Sequence, residues 1–138
     1  MCTATWNDVI VPVAEEELRH GVITFALGSD GDLDALRPQI LKDVLSHQVG
    51  EAGAELSLAI RRLLDLLLVG GVPEAVRPVF FGASLTPLKK KSGGIRPIAV
   101  GCVWRRLSAK IVLRRISPDL VDYLKPHQLG VGVKGVRK

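Results

Sequence analysis

Residues 56–68 constrain the fold most tightly. Leu56, Ala59, Ile60, Leu63, Leu64, Leu67 and Leu68 recur at the i, i+3, i+4, i+7 spacing of one helix face. Gly70-Gly71 stops the pattern, because glycine takes the left-handed C-cap conformation at little cost. Such a face needs a partner, and Leu58 and Leu66, which lie off it, imply a second contact. The spacing predicts another helix from Val103 to Arg115, with Trp104, Leu107, Ser108, Ile111 and Val112 on one side. On a different side Arg106, Lys110 and Arg114 form an i, i+4, i+8 stripe. Like charges so placed repel by roughly a few tenths of a kcal/mol per pair, so either solvent screens them or an anion lies beside them.

Between these helices the helical period is lost. Pro78 and Pro87 flank an apolar stretch of small residues, and Ile95 to Val100 is short and β-branched. Ser92-Gly93-Gly94 separates the two as a turn, since glycine supplies positive φ. A β-hairpin over about residues 83–100 is therefore predicted, with Pro87 and Pro97 pointing to edge positions and irregular pairing. Upstream, Pro12 to Arg19 reads as a short helix with proline in its first turn. Asp30-Gly31-Asp32 reads as a turn, with Asp32 or Asp34 capping the next helix. That helix carries Leu36, Ile40, Leu41, Val44 and Leu45, with Pro38 early and Gly50 at its end. Downstream, Ser117-Pro118-Asp119 reads as the N-cap and first turn of a separate short helix through Tyr123, and Lys125-Pro126 breaks it. The expected class is α+β: mostly helical, with one basic hairpin.

Charge divides the chain. Residues 1–78 carry six basic and twelve acidic residues, a net −6, and residues 79–138 carry thirteen basic and two acidic residues, a net +11. From Val79 to Arg115 there is no acid. This asymmetry points to a polyanionic partner, and its bland alternative is a solvated basic surface. Apolar residues make up 47% of the 138-residue chain, which excludes global disorder. Cys2 and Cys102 cannot build a disulfide framework. No signal peptide or membrane span is read, so the expected location is intracellular, in cytoplasm or nucleus.

The hairpin is the strongest chemical signal. Lys89, Lys90 and Lys91 precede its glycines and Arg96 follows them. Alternation along a strand sends Lys89 and Lys91 to one face and Lys90 to the other, and Arg96 can join either set around an anion. Arginine offers phosphate a planar fork, and lysine a mobile point charge. The alternative is an edge hairpin kept soluble by lysine.

These residues also carry a family resemblance. The run Leu85-Thr86-Pro87-Leu88-Lys89-Lys90-Lys91-Ser92-Gly93-Gly94-Ile95-Arg96-Pro97-Ile98-Ala99-Val100-Gly101 resembles the fingers hairpin of reverse transcriptases, those of non-LTR retrotransposons above all. Val103-Trp104-Arg105-Arg106-Leu107-Ser108-Ala109-Lys110 resembles the helix after it, and Pro126-His127-Gln128-Leu129-Gly130 the segment after that. Gly28-Ser29-Asp30-Gly31 with Leu36-Arg37-Pro38-Gln39 is similar to the family's Asp-Gly turn and following helix, with extra residues between. The resemblance divides the chain into a leading segment, residues 1–26, and an incomplete N-terminal fingers portion, residues 27–138.

In that family the fingers hairpin folds over the incoming nucleotide, with a lysine before the turn and an arginine after it on the triphosphate. The resemblance implies nucleotide binding by Lys90, with Lys89 or Lys91 as alternatives in register, and by Arg96. It implies template contact by the basic helix, through Arg105, Arg106, Lys110 and Arg114. The implied partners are a DNA or RNA template-primer, a deoxynucleoside triphosphate and a palm and thumb polypeptide; no membrane is implied.

The complete parent enzyme would be an RNA-directed DNA polymerase using Mg²⁺. This chain departs from the family at the metal. No Asp-Asp pair occurs, Tyr123 is followed by Leu124-Lys125, and the only acids after residue 78 are Asp119 and Asp122, which read as first-turn helix residues. The fragment is thus expected to need no cofactor and to be inactive alone, and whether it counts as an enzyme stays open. The alternative function is a non-catalytic basic module that binds nucleic acid or protein. Three other patterns fail. Gly130 to Gly135 matches a dinucleotide glycine spacing without room for its strand and helix. Asp30, Asp32 and Asp34 open a calcium-like loop that lacks its glycine and closing glutamate. His20, His47 and His127 are scattered.

Overall fold

The computed structural model describes residues 11–31, 35–46 and 50–124. Five helices and one hairpin follow in the order α1 (Glu15–Ile23), α2 (Pro38–Val44), α3 (Gly50–Leu68), a 3-10 turn (Glu74–Val76), α4 (Arg77–Phe81), β1 (Ala83–Lys89), β2 (Ile95–Gly101) and α5 (Val103–Leu124). The class is α+β, as expected. No described helix is long and apolar enough to cross a membrane.

The apolar faces of α3 and α5 meet each other and both meet α1, while α2 lies against α1. Leu18 and Val22 of α1, Ile60 and Leu64 of α3, and Val103, Leu107 and Ile111 of α5 form the centre of the core, with Val13, Phe25, Leu41 and Leu45 around them. Both helix periodicities read from the sequence thus find their partner, because each hides a stripe that water would otherwise solvate. The α1–α5 approach is close: a Cβ on Gly21 would stand 2.8 Å from Leu107 Cδ1. The second contact expected for Leu58 and Leu66 is not made. Both are half-exposed among the described residues, and the Leu66 side chain lies over Gly71.

Boundaries differ from the sequence reading in several places; α1 runs past Arg19 to Ile23, and the stretch after Pro78, read as lacking a helical period, is helical to Phe81. The first helix starts at Glu15, beyond Pro12, because Val13 is held extended by α3. Its N–H donates to Asp65 Oδ1 at 2.7 Å, and its carbonyl accepts from Arg61 Nε at 2.7 Å. Ala14 has no capping side chain, so the Glu17 carboxylate accepts its N–H at 2.9 Å. Gly50 does not end α2. That helix closes at Val44, where the Leu45 and Ser46 amides donate to Leu41 and Asp43 carbonyls, and Gly50, at φ 58°, opens α3. Finally, no separate helix begins at Ser117. α5 runs unbroken through Pro118, and the Ser117 hydroxyl bonds back to the Leu113 carbonyl and does not cap forward. The capping candidates Asp32 and Asp34 lie outside the described residues, as do Lys125-Pro126 and the segment after it.

The hairpin forms where it was expected, but its pairing is regular. Ala83 pairs with Gly101, Pro87 with Pro97 and Lys89 with Ile95. Lys90 N–H donates to Gly94 O, and Gly93 N–H returns to Lys90 O, both at 3.1 Å, which fixes which pairs are hydrogen-bonded. Counting back in alternation, Pro87 and Pro97 oppose each other at a non-hydrogen-bonded pair. Neither missing N–H is asked for by the partner strand. Each proline instead blanks the middle of an outer edge, a device that discourages further strands from adding. Gly93 and Gly94 take φ of 86° and 81°, which only glycine adopts freely.

Candidate anion site at the hairpin tip

The root of the hairpin is fixed to the helices. Arg105 donates to the Phe81 carbonyl at 2.5 Å, and the buried Cys102 thiol lies 3.4 Å from the Phe80 carbonyl. The Arg105 guanidinium sits against Gly101, where a Cβ would come within 1.8 Å of it. Neither strand packs extensively on a helix. The tip therefore projects from a clamped base.

Register settles which tip cations share a face. Leu88 pairs with Arg96, so Lys90, two residues on from Leu88, faces the same way as Arg96. The two are diagonal neighbours, a separation of about 7–8 Å between Cα atoms, which side chains of this length bridge easily. Strand alternation starts Lys89 from the opposite face, so that it meets the groove at its rim. Lys91 lies in the turn, where strand alternation no longer sets its direction. Leu88, Lys89, Lys90, Lys91, Ser92 and Arg96 line one open groove of about 460 Å³. All four cations are exposed, and among the described residues none is paired with a carboxylate. Four cations without carboxylate partners around one groove give it the positive potential that attracts a multiply charged anion.

The helix cations predicted to contact template are placed differently. Arg105 holds the hairpin root. Arg106 donates to the Asp30 carbonyl at 2.7 Å and stands 5.1 Å from the centre of the Phe25 ring. Lys110 lies 4.8 Å from the same ring and donates to Thr24 O at 3.2 Å. Arg114 pairs with Glu16 at 3.7 Å. Lys110 and Lys42, which donates to Phe25 O at 2.8 Å, together satisfy the carbonyls of Thr24 and Phe25 just beyond the end of α1. The repulsion inherent in the stripe is thus answered inside the chain, by carbonyls, a ring face and a carboxylate.

Three residues with large roles had no local signal. Phe25 underlies two of the cations. Glu17 and Arg115 form a two-pronged ion pair, with both contacts at 2.7 Å, and Arg115 also donates to Val11 O and Pro12 O. The Arg115 guanidinium, with help from the Ala14 amide, lowers the Glu17 carboxyl from its ordinary 4.5 to about 2. The one hint in the sequence is complementarity between Glu15-Glu16-Glu17 and Arg114-Arg115.

Asp119 and Asp122 stand on α5, remote in sequence from other acids, and among the described residues no three His, Cys, Asp or Glu gather around one point. Set against protein-family models, curated proteins and solved structures, the chain matches none.

Proposed function

We propose that the hairpin tip is a polyphosphate clamp, in which Lys90 and Arg96 grip a nucleoside triphosphate from one face while Lys89 and Lys91 add charge around it. The observation that carries this reading is the contrast just described: four tip cations share a groove without carboxylate partners, whereas the helix cations have partners. On this reading the chain supplies the fingers portion of an RNA-directed DNA polymerase of the retrotransposon kind. It contributes nucleotide contacts at the tip, and its helix α5 supplies positive potential along a template backbone. Catalytic carboxylates and Mg²⁺ belong to the complete parent enzyme.

The decisive test is Arg96→Lys, which keeps the charge but removes the fork. A charge-assisted phosphate hydrogen bond contributes on the order of 1.5–3 kcal/mol, so tripolyphosphate and deoxynucleoside triphosphate should bind about 10- to 150-fold more weakly. The readout is calorimetry on the full chain, supported by the apparent KM for nucleotide of a complete related polymerase carrying residues 79–116 as a graft. Unchanged affinity would remove the clamp.

A second reading has its own support. Leu85 and Ile95 are 72% and 66% exposed, so apolar surface flanks the cations on the hairpin. Such a surface suits a basic module that binds nucleic acid or a protein without nucleotide specificity. That module would bind RNA and tripolyphosphate alike, in proportion to charge, with affinity falling steeply with salt.

A further inference from the structure

The turn that holds the proposed clamp also presents a hydroxyl. Ser92 sits at the exposed tip, directly after Lys89-Lys90-Lys91, and no hydrogen bond engages its side chain among the described residues. Two other serines have basic residues two and three positions before them: Ser108 follows Arg105-Arg106-Leu107, and Ser117 follows Arg114-Arg115-Ile116. The tertiary structure sets Ser92 apart from both. Ser108 and Ser117 lie inside α5, with their hydroxyls bonded to the Trp104 and Leu113 carbonyls. Arg115 is held by Glu17, and Arg114 pairs with Glu16. A kinase reading either site would have to unwind a core helix and break the contacts that hold its arginines. At Ser92 it would only have to open a turn of a hairpin neither strand of which packs extensively on a helix, and the three lysines have no carboxylate partner among the described residues.

We propose that Ser92 is a phosphorylation site for a serine/threonine kinase whose substrate cleft is lined with carboxylates, and that the phosphate closes the anion site. In the transfer, Ser92 Oγ bonds to the γ-phosphorus of ATP, the bond from that phosphorus to the β–γ bridging oxygen breaks, and ADP leaves. The hydroxyl proton passes to a carboxylate of the kinase. The product carries a charge of about −1.5 to −2 and three acceptor oxygens in the groove lined by Lys89, Lys90, Lys91 and Arg96. Those are the donors a triphosphate would use, so the tethered phosphate competes with it from within. The shut-off rests on the clamp reading above; the choice of Ser92 over Ser108 and Ser117 does not.

The experiment treats the full chain with ATP and a kinase that selects lysine or arginine two and three residues before serine. Phosphate is localised by peptide mass analysis, and tripolyphosphate binding is measured before and after. Ser92 should be modified at least about tenfold faster than Ser108 or Ser117, Ser92→Ala should abolish the main product, and tripolyphosphate affinity should fall at least about tenfold and return on dephosphorylation. Phosphate mainly on Ser108 or Ser117, or on none of the three serines, overturns the site. Phosphate on Ser92 with unchanged tripolyphosphate affinity overturns the shut-off. If the untreated chain binds no tripolyphosphate, the clamp falls and the shut-off with it, while the masses still decide between Ser92, Ser108 and Ser117.

Discussion

The hairpin tip and the α5 stripe carry the same kind of charge and do opposite things with it. Arg106, Lys110 and Arg114 turn toward carbonyls, the Phe25 ring and Glu16, and so join α1 and the loop after it to α5. Lys89, Lys90, Lys91 and Arg96 stand around an open groove with no carboxylate partner among the described residues. The same charge is thus used by the fold in one region and left unused by it in the other.

On the proposed reading α5 is a structural element and the tip a ligand element, and four perturbations test that division. The largest effect belongs to the α5 core. Leu107 is fully buried against α1, so Leu107→Ala should cost about 2–5 kcal/mol in denaturant unfolding while leaving tripolyphosphate affinity unchanged below the transition. A cost under about 1 kcal/mol would mean that α5 does not hold the core.

Next come matched substitutions in the two regions. Arg96→Met should weaken tripolyphosphate binding roughly 10- to 150-fold and leave stability within about 0.5 kcal/mol. Arg106→Met should do the reverse, lowering stability by about 0.5–2 kcal/mol with binding unchanged, because it gives up a carbonyl and a ring face. If both variants lose binding equally, the division between tip and stripe fails.

The Glu17–Arg115 pair gives a pH signature. Folding lowers the Glu17 carboxyl from 4.5 to about 2, so its stabilisation is complete above about pH 4.5 and is lost as pH falls through about 2. Solvent reaches both side chains in part, which leaves a contribution of about 1–2 kcal/mol. In Arg115→Met that acid-range loss should shrink, and stability near neutral pH should drop by a similar amount. An unchanged acid limb in urea melts between pH 2 and 5 would remove the pair from the list of stabilising contacts.

The smallest effect is on salt dependence. Changing Lys89, Lys90 and Lys91 to Gln should flatten the slope of log RNA affinity against log salt by roughly 2. Changing Arg106, Lys110 and Arg114 to Gln should flatten it by less than about 1, since their hydrogen bonds are directed inward. Equal flattening would return the stripe to the nucleic-acid surface as a full participant.

What the sequence determined by itself was local. The leucine spacing of α3 and the apolar face of α5 specify helices wherever they lie in space. Two glycines at positive φ after a short apolar run specify a hairpin, because few other residues reach that conformation. The grouping of three lysines and one arginine around that turn follows from the turn itself, so the candidate site was legible before any fold was known. Local signals failed where a distant part of the chain acts. Pro12 looked like a helix start until Arg61 and Asp65 claimed the backbone of Val13, some fifty residues away, and Ser117-Pro118 looked like a new start until α5 continued through it. The two prolines of the hairpin looked disruptive until register placed them opposite each other, where no hydrogen bond is missed. Only the tertiary structure decided which cations have partners. Arg115 and Glu17 are 98 residues apart and Arg106 and Asp30 are 76 apart, and no periodicity spans such distances. Their meeting depends on α1 packing across α5, which burial of the shared apolar core brings about.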